Sequence, residues 1–136
     1  MTHYTVLIDG EAGAYGVVFP DLSGCSAMGD TIEEALNNAQ EALRAWAETY
    51  AAKGQAMPVP RGPDAIRSDP LFAEDFSSGA MFGTVMLVQR LGRPQKANLS
   101  IDSGILAAID ETANRLGVTR SAMVEMLAED KLPEFA

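Results

Sequence analysis

Lys96, Asn98 and Ser100 occupy every second position of the stretch RPQKANLSID, residues 93–102. All three side chains can read base edges: Asn makes two hydrogen bonds to adenine, Lys donates to guanine, and Ser reaches either kind of base. Alternation puts them on one side of a strand, with Ala97, Leu99 and Ile101 on the other. Further on, Thr119, Arg120 and Ser121 open a helix. Its first N–H groups lie ahead of the intrahelical ladder and a positive charge stands beside them, an arrangement suited to holding phosphate. Base-reading side chains on a strand and a phosphate clamp at a helix start together make sequence-specific DNA binding the leading chemistry.

Catalysis is poorly provided for. Asp9, Asp21 and Asp30 fall near strand ends, where carboxylates could hold a divalent metal. Asp30 is better used as a helix cap, and Asp21 sits in a turn that favours Asp for its own reasons. Cys25 has no general base in view, because the single histidine, His3, lies at the terminus; it reads as a small buried residue. Trp46 falls on an apolar helix stripe and is assigned to the core. There is no phosphate-binding glycine loop and no zinc-type cluster. The sequence assigns no catalytic residue, no metal ligand and no cofactor, and an enzyme is not expected.

The 136 residues are 47% hydrophobic and 21% charged, enough for packed cores, and carry a net charge of −9. Residues 1–92 hold twelve Asp and Glu against five Lys and Arg, and residues 93–136 hold seven against five. Such a chain is not drawn to nucleic acid by bulk attraction, so any DNA contact must be local and geometric. The acidic N-terminal part suits a basic partner. The apolar runs are too short to span a bilayer, no basic region precedes an apolar block at the N-terminus, and one cysteine forms no internal disulfide. The expected location is cytoplasmic.

The elements that would position these residues follow from periodicity. Tyr4–Asp9 and Tyr15–Phe19 form a hairpin across the Gly-rich GEAGAY, and CSAMG makes a third short strand. GDTIEEAL starts a long helix, with Asp30 or Thr31 as cap and Glu33 or Glu34 closing a capping box. Ile32, Ala35, Leu36, Ala39, Leu43, Trp46, Ala47 and Tyr50 form its apolar stripe, and Gly54 stops it. Residues 57–78 read as a connection with helical turns at PDAIRS and PLFAED, followed by a buried strand over Met81–Arg90. The order β-β-β-α-β gives an α+β sheet with its main helix on one face. LGRPQ is a hinge between a domain of residues 1–92 and one of residues 93–136.

The second domain poses a problem of supply. After its strand come two helices: the first capped by Asp102 or Ser103 and closed by Gly117, the second capped by Thr119 and ended by Pro133. One strand and two short helices cannot enclose a core, and the strand has no neighbour. A two-fold dimer answers both: the strands pair antiparallel over a shared core of Ala97, Leu99, Ile101, Ile109, Leu116, Met123 and Leu127. Lys96, Asn98 and Ser100 then stand on the exposed face of a two-stranded ribbon that fits the major groove.

KANLSID followed by ILAAIDETANRLGVTRSAMVEML resembles the ribbon-helix-helix DNA-binding domains. YGVVFPDLSGCSAMGDTIEEALNNAQEAL resembles the N-terminal domain of HicB-type antitoxins. That resemblance implies a partial RNase H-like fold without a nuclease role. It also implies a type II toxin–antitoxin function, with inhibition of a small basic mRNA-cleaving HicA-type toxin. Repression of the chain's own operon at operator DNA is implied with it; the chain is expected to act there as a homodimer or higher oligomer, with a tetramer through the N-terminal domains left open. The alternative reading is a stand-alone repressor whose N-terminal domain senses a small ligand.

Overall fold

A computed structural model of the chain describes residues 1–135, which fall into two compact units, Met1–Gln89 and the residues from Arg90 on. In the first unit, strands β1 (Thr2–Glu11), β2 (Ala14–Val18), β3 (Ser26–Gly29) and β4 (Met81–Leu87) form one antiparallel sheet in the order β3-β2-β1-β4. Helix α1 (Ile32–Ala52) lies between β3 and β4 in sequence, which is the expected β-β-β-α-β order.

Local chemistry sets the ends of α1. Thr31 caps it by accepting the Glu34 N–H at 3.1 Å, and Glu34 reaches back to the Asp30 N–H at 3.4 Å. The capping role left open between Asp30 and Thr31 thus belongs to Thr31. Gly54, at φ 65°, follows the last turn as the sequence predicts. Gly29 has a different duty from a turn: a Cβ there would lie 2.4 Å from the Ala35 nitrogen, so only Gly lets β3 run this close to α1.

Alternation along the strands builds two apolar faces. Tyr4, Val6, Ile8, Val17, Val85 and Leu87 pack with Ala35, Ala39 and Leu43 of α1. Leu7, Met86 and Ile66 are buried outside that cluster. Short helices α2 (Pro63–Arg67) and α3 (Ala73–Ser77), with a 3-10 turn between them, cover this second face. Thr5 Oγ1 donates to the Arg61 carbonyl at 3.0 Å, and the Arg67 guanidinium lies 5.0 Å from the Phe82 ring centre and 5.1 Å from that of Phe76. This accounts for the two-sided apolar pattern of MFGTVMLV. β4 is buried on both faces at Val85–Leu87 although it stands at the edge of the sheet.

The side-chain amides of α1 reach both edge strands. Asn38 Nδ2 donates to the Met28 carbonyl of β3 at 2.7 Å, and Gln40 Nε2 donates to the Met86 carbonyl of β4.

The second unit holds α4 (Ser103–Leu116) and α5 (Arg120–Lys131), followed by a 3-10 turn over Leu132–Phe135. Asp102 caps α4 by accepting the Gly104 and Ile105 N–H groups, and Gly117 closes it in the left-handed region at φ 70°. The strand predicted over Lys96–Ile101 is not formed within the single chain: residues 93–102 belong to no sheet. A strand exists only with a ladder, and among the described residues no segment pairs with this one.

Candidate nucleic-acid interface

Lys96, Asn98 and Ser100 are all exposed, as are Ala97 and Leu99 between them. Leu99 is 69% exposed, and with it Ile105, Leu116, Met126 and Leu127 stand open to solvent. Of the residues assigned to a shared core, Ala97, Leu99, Leu116 and Leu127 are exposed, Ile101 and Ile109 are half-buried, and Met123 is buried. Met123 and Ala113 are the buried apolar residues of this unit. The unit is therefore a pair of helices around a small internal contact, with much of its apolar surface uncovered.

At the start of α5, Thr119 Oγ1 accepts the Ala122 N–H at 3.1 Å, and the Thr119 carbonyl accepts that of Met123. The N–H groups of Arg120 and Ser121 remain ahead of the ladder. The Arg120 side chain, predicted to face phosphate, is gripped by Asp110 of α4: Nε donates to Oδ1 at 2.8 Å and a terminal nitrogen donates to Oδ2 at 2.7 Å. That fork raises the Arg120 pKa and holds the Asp110 carboxyl below its ordinary value. In this structure the positive charge at the helix start is neutralised by its own chain.

Ion pairing sorts the remaining cations of the unit. Arg90 is bound by Glu125 and Glu129, and Lys131 by Asp130 and Glu134. Hydrogen bonding to Glu129 is the main reason the Arg90 guanidinium is raised above its usual pKa. Among the described residues, Arg93, Lys96 and Arg115 have no carboxylate partner. Arg93 and Arg115 are thus the cations that sequence reasoning passed over. Strand alternation did not single them out; only the pairing of their neighbours does.

In the first unit one of the carboxylates considered for metal, that of Asp21, is bound to an arginine. Both oxygens of Asp21 accept from Arg61, one from its backbone N–H at 2.7 Å and one from Nε at 2.6 Å. Asp69 accepts from the same guanidinium at 2.9 Å, which keeps its carboxyl below the usual range. Asp9 and Asp30 are exposed. Among the described residues, no group of three His, Cys, Asp or Glu could hold a metal ion. Burial pushes the Cys25 thiol up to about 11, so it stays protonated at neutral pH and is a poor nucleophile. The exposed charge of this unit is acidic: α1 alone presents Glu33, Glu34, Glu41 and Glu48 to solvent. No helix of the described residues is long and apolar enough to cross a membrane.

Comparison with known proteins gives a consistent picture. A family model described as "HicB_like antitoxin of bacterial toxin-antitoxin system" matches residues 4–128, a span that runs through both units. The protein ssr1765 of Synechocystis, of the UPF0150 group, is 42% identical over 57 residues, covering 41% of this chain and 72% of its own length. A 14.9 kDa protein of Haemophilus phage HP1 is 28% identical over 108 residues, 79% of each chain. Among solved structures, the antitoxin HicB of Burkholderia pseudomallei superposes with a TM-score of 0.56 at 26% identity, covering 97% of this chain and 99% of that one. A chain of a HicA3 and HicB3 toxin–antitoxin complex gives 0.53 at 27% identity, over 65% of this chain and 100% of that one.

Proposed function

The chain belongs to the HicB-like antitoxin family, and from that premise we propose that its two units perform two binding tasks. The acidic first unit covers a small basic HicA-type toxin and blocks its RNA site, its carboxylates competing for cations that would otherwise meet phosphate. A solved relative in a complex of HicA3 and HicB3 supports the toxin as partner. The second unit pairs with a second copy as a ribbon-helix-helix dimer and represses its own operon. The family is one of antitoxins, and no enzymatic step is assigned.

The observation that carries the second task is the uncovered apolar surface of the C-terminal unit, Leu99, Ile105, Leu116, Met126 and Leu127, in and beside a segment that pairs with no strand among the described residues. Burying a Leu of this kind contributes about 1.5–3 kcal/mol, so a second copy gains most where a single chain gains least. Pairing through 96–101 would turn Lys96, Asn98 and Ser100 outward together, with Arg93 at the end of the ribbon.

Two experiments test the reading. Purification of the tagged full-length chain from its source cells should bring down a small basic protein in near-stoichiometric yield; recovery of the chain alone would count against the toxin half. In gel-shift titrations on the chain's own promoter, Asn98→Ala should weaken binding by about 1–3 kcal/mol for each base that the amide reads. The dimer should persist. Unchanged affinity would mean that Asn98 does not face the bases.

The Asp110–Arg120 fork makes a further expectation of the same assay. Asp110→Asn should release Arg120 toward phosphate and remove a negative charge from that surface, tightening promoter binding about two- to fivefold. The dependence of log affinity on log salt should steepen by roughly one for each Arg freed. Equal affinity and equal slope would place Arg120 away from the DNA.

A further inference from the structure

We propose that Arg90 is a positioning residue for the ribbon: held on α5 by Glu125 and Glu129, it fixes the start of the 91–101 segment and so prepares that segment to pair with a second copy. The inference rests on the dimeric ribbon described above.

Arg90 makes three hydrogen bonds to α5. Its Nε donates to Glu129 Oε1 at 2.6 Å, one terminal nitrogen to Glu129 Oε2 at 3.0 Å, and the other to Glu125 Oε2 at 2.9 Å. Glu125 and Glu129 are four residues apart and share a helix face, so one planar fork reaches both. At the other end of the segment, Asp102 is fixed as the cap of α4, with its carboxylate on two N–H groups and its carbonyl accepting the Leu106 N–H. Between these anchors, residues 91–101 make no hydrogen bond or ion pair among the described residues. The segment is tied at both ends and free in the middle.

That arrangement bears on association. A segment anchored at one end must be ordered from a wide ensemble when it pairs; anchored at both ends it samples fewer paths, and part of the ordering cost is met before the second copy arrives. An isolated surface ion pair would do little here. This one differs in geometry: Glu129 is bound on both oxygens, and its side chain is only 19% exposed, so its carboxylate is poorly placed to exchange Arg90 for water. Each dimer holds the Arg90 fork twice, so a modest effect per chain is squared in the dimer constant.

The test uses the full chain. By analytical ultracentrifugation, Arg90→Ala should raise the dimer dissociation constant about tenfold, with the unfolding of the first unit unchanged. Amide exchange over residues 95–101 should quicken in the variant dimer. The reversed pair, Arg90→Glu with Glu129→Arg, should recover part of the affinity, which a merely bulky role for Arg90 would not. Should Arg90→Ala fail to fold, Glu125→Gln with Glu129→Gln should give the same weakening. A wild-type dimer constant in these variants overturns the latch. A wild-type chain that neither dimerises nor shifts its promoter would overturn the ribbon reading itself.

Discussion

Replacing Leu99 with Asp is expected to turn the dimer into a monomer and to abolish promoter binding while each unit keeps its fold. The side chain is 69% exposed in the single chain, so its removal takes nothing from an internal core. In a paired ribbon, two copies of the new carboxylate would face a shared apolar interior. An unpaired buried charge costs several kcal/mol, and over two copies about 5 kcal/mol is a thousandfold or more in the dimer constant. Light scattering after size exclusion gives the mass, and a gel shift gives the DNA readout. A Leu99→Asp chain that remains dimeric would mean that the copies meet through another surface. Lys96→Ala is the matching control, since its side chain belongs to the opposite face of the ribbon and its replacement should leave the mass alone.

Ending the chain after Gln89 is expected to separate the two tasks. The four-stranded sheet, α1 and the α2–α3 cover are complete within the first unit. Leu43, Val6 and Val17 are fully buried in a cluster whose members all belong to that unit. The truncated chain should melt cooperatively and still neutralise its toxin in a growth-rescue assay. Promoter affinity should fall to the non-specific level, about a thousandfold or more. If neutralisation disappears with it, toxin binding requires the assembled dimer and the acidic first unit does not suffice alone.

Much of this architecture could be read from short stretches of sequence because local rules govern them. Thr31 with Glu34, Gly54, Asp102, Gly117 and Thr119 mark helix ends through bonds that reach no more than five residues. In the 57–78 connection, α2 and the 3-10 turn that leads into α3 follow from Pro63 and Pro70 at their starts. What periodicity could not give was the identity of partners far apart in the chain. Asp21 looked like a turn residue, yet it holds Arg61 forty positions away. Arg120 looked free, yet Asp110 reaches it from the preceding helix. Arg90 looked like part of a strand, yet it is bound to residues 35 and 39 positions on. Ion pairs of this kind depend on which surfaces packing brings together, and alternation carries no trace of that. The segment 96–101 is the converse case: its pattern is plain in the sequence, while among the described residues no strand pairs with it.

The amides of Asn38 and Gln40 have a consequence for how large an assembly of this protein can grow. Each edge of the sheet already has a carbonyl engaged from within, at Met28 on one side and Met86 on the other. A foreign strand would have to displace an intramolecular bond before it could dock at either, which discourages end-to-end growth of the sheet. The proposed ribbon, by contrast, would join like to like about a two-fold axis, and such a contact is used up once it is made. Any association beyond two copies would have to use helix surfaces or loops. On the proposed pairing, the protein would stop at a finite size in a crowded cell or test tube instead of stacking into fibres.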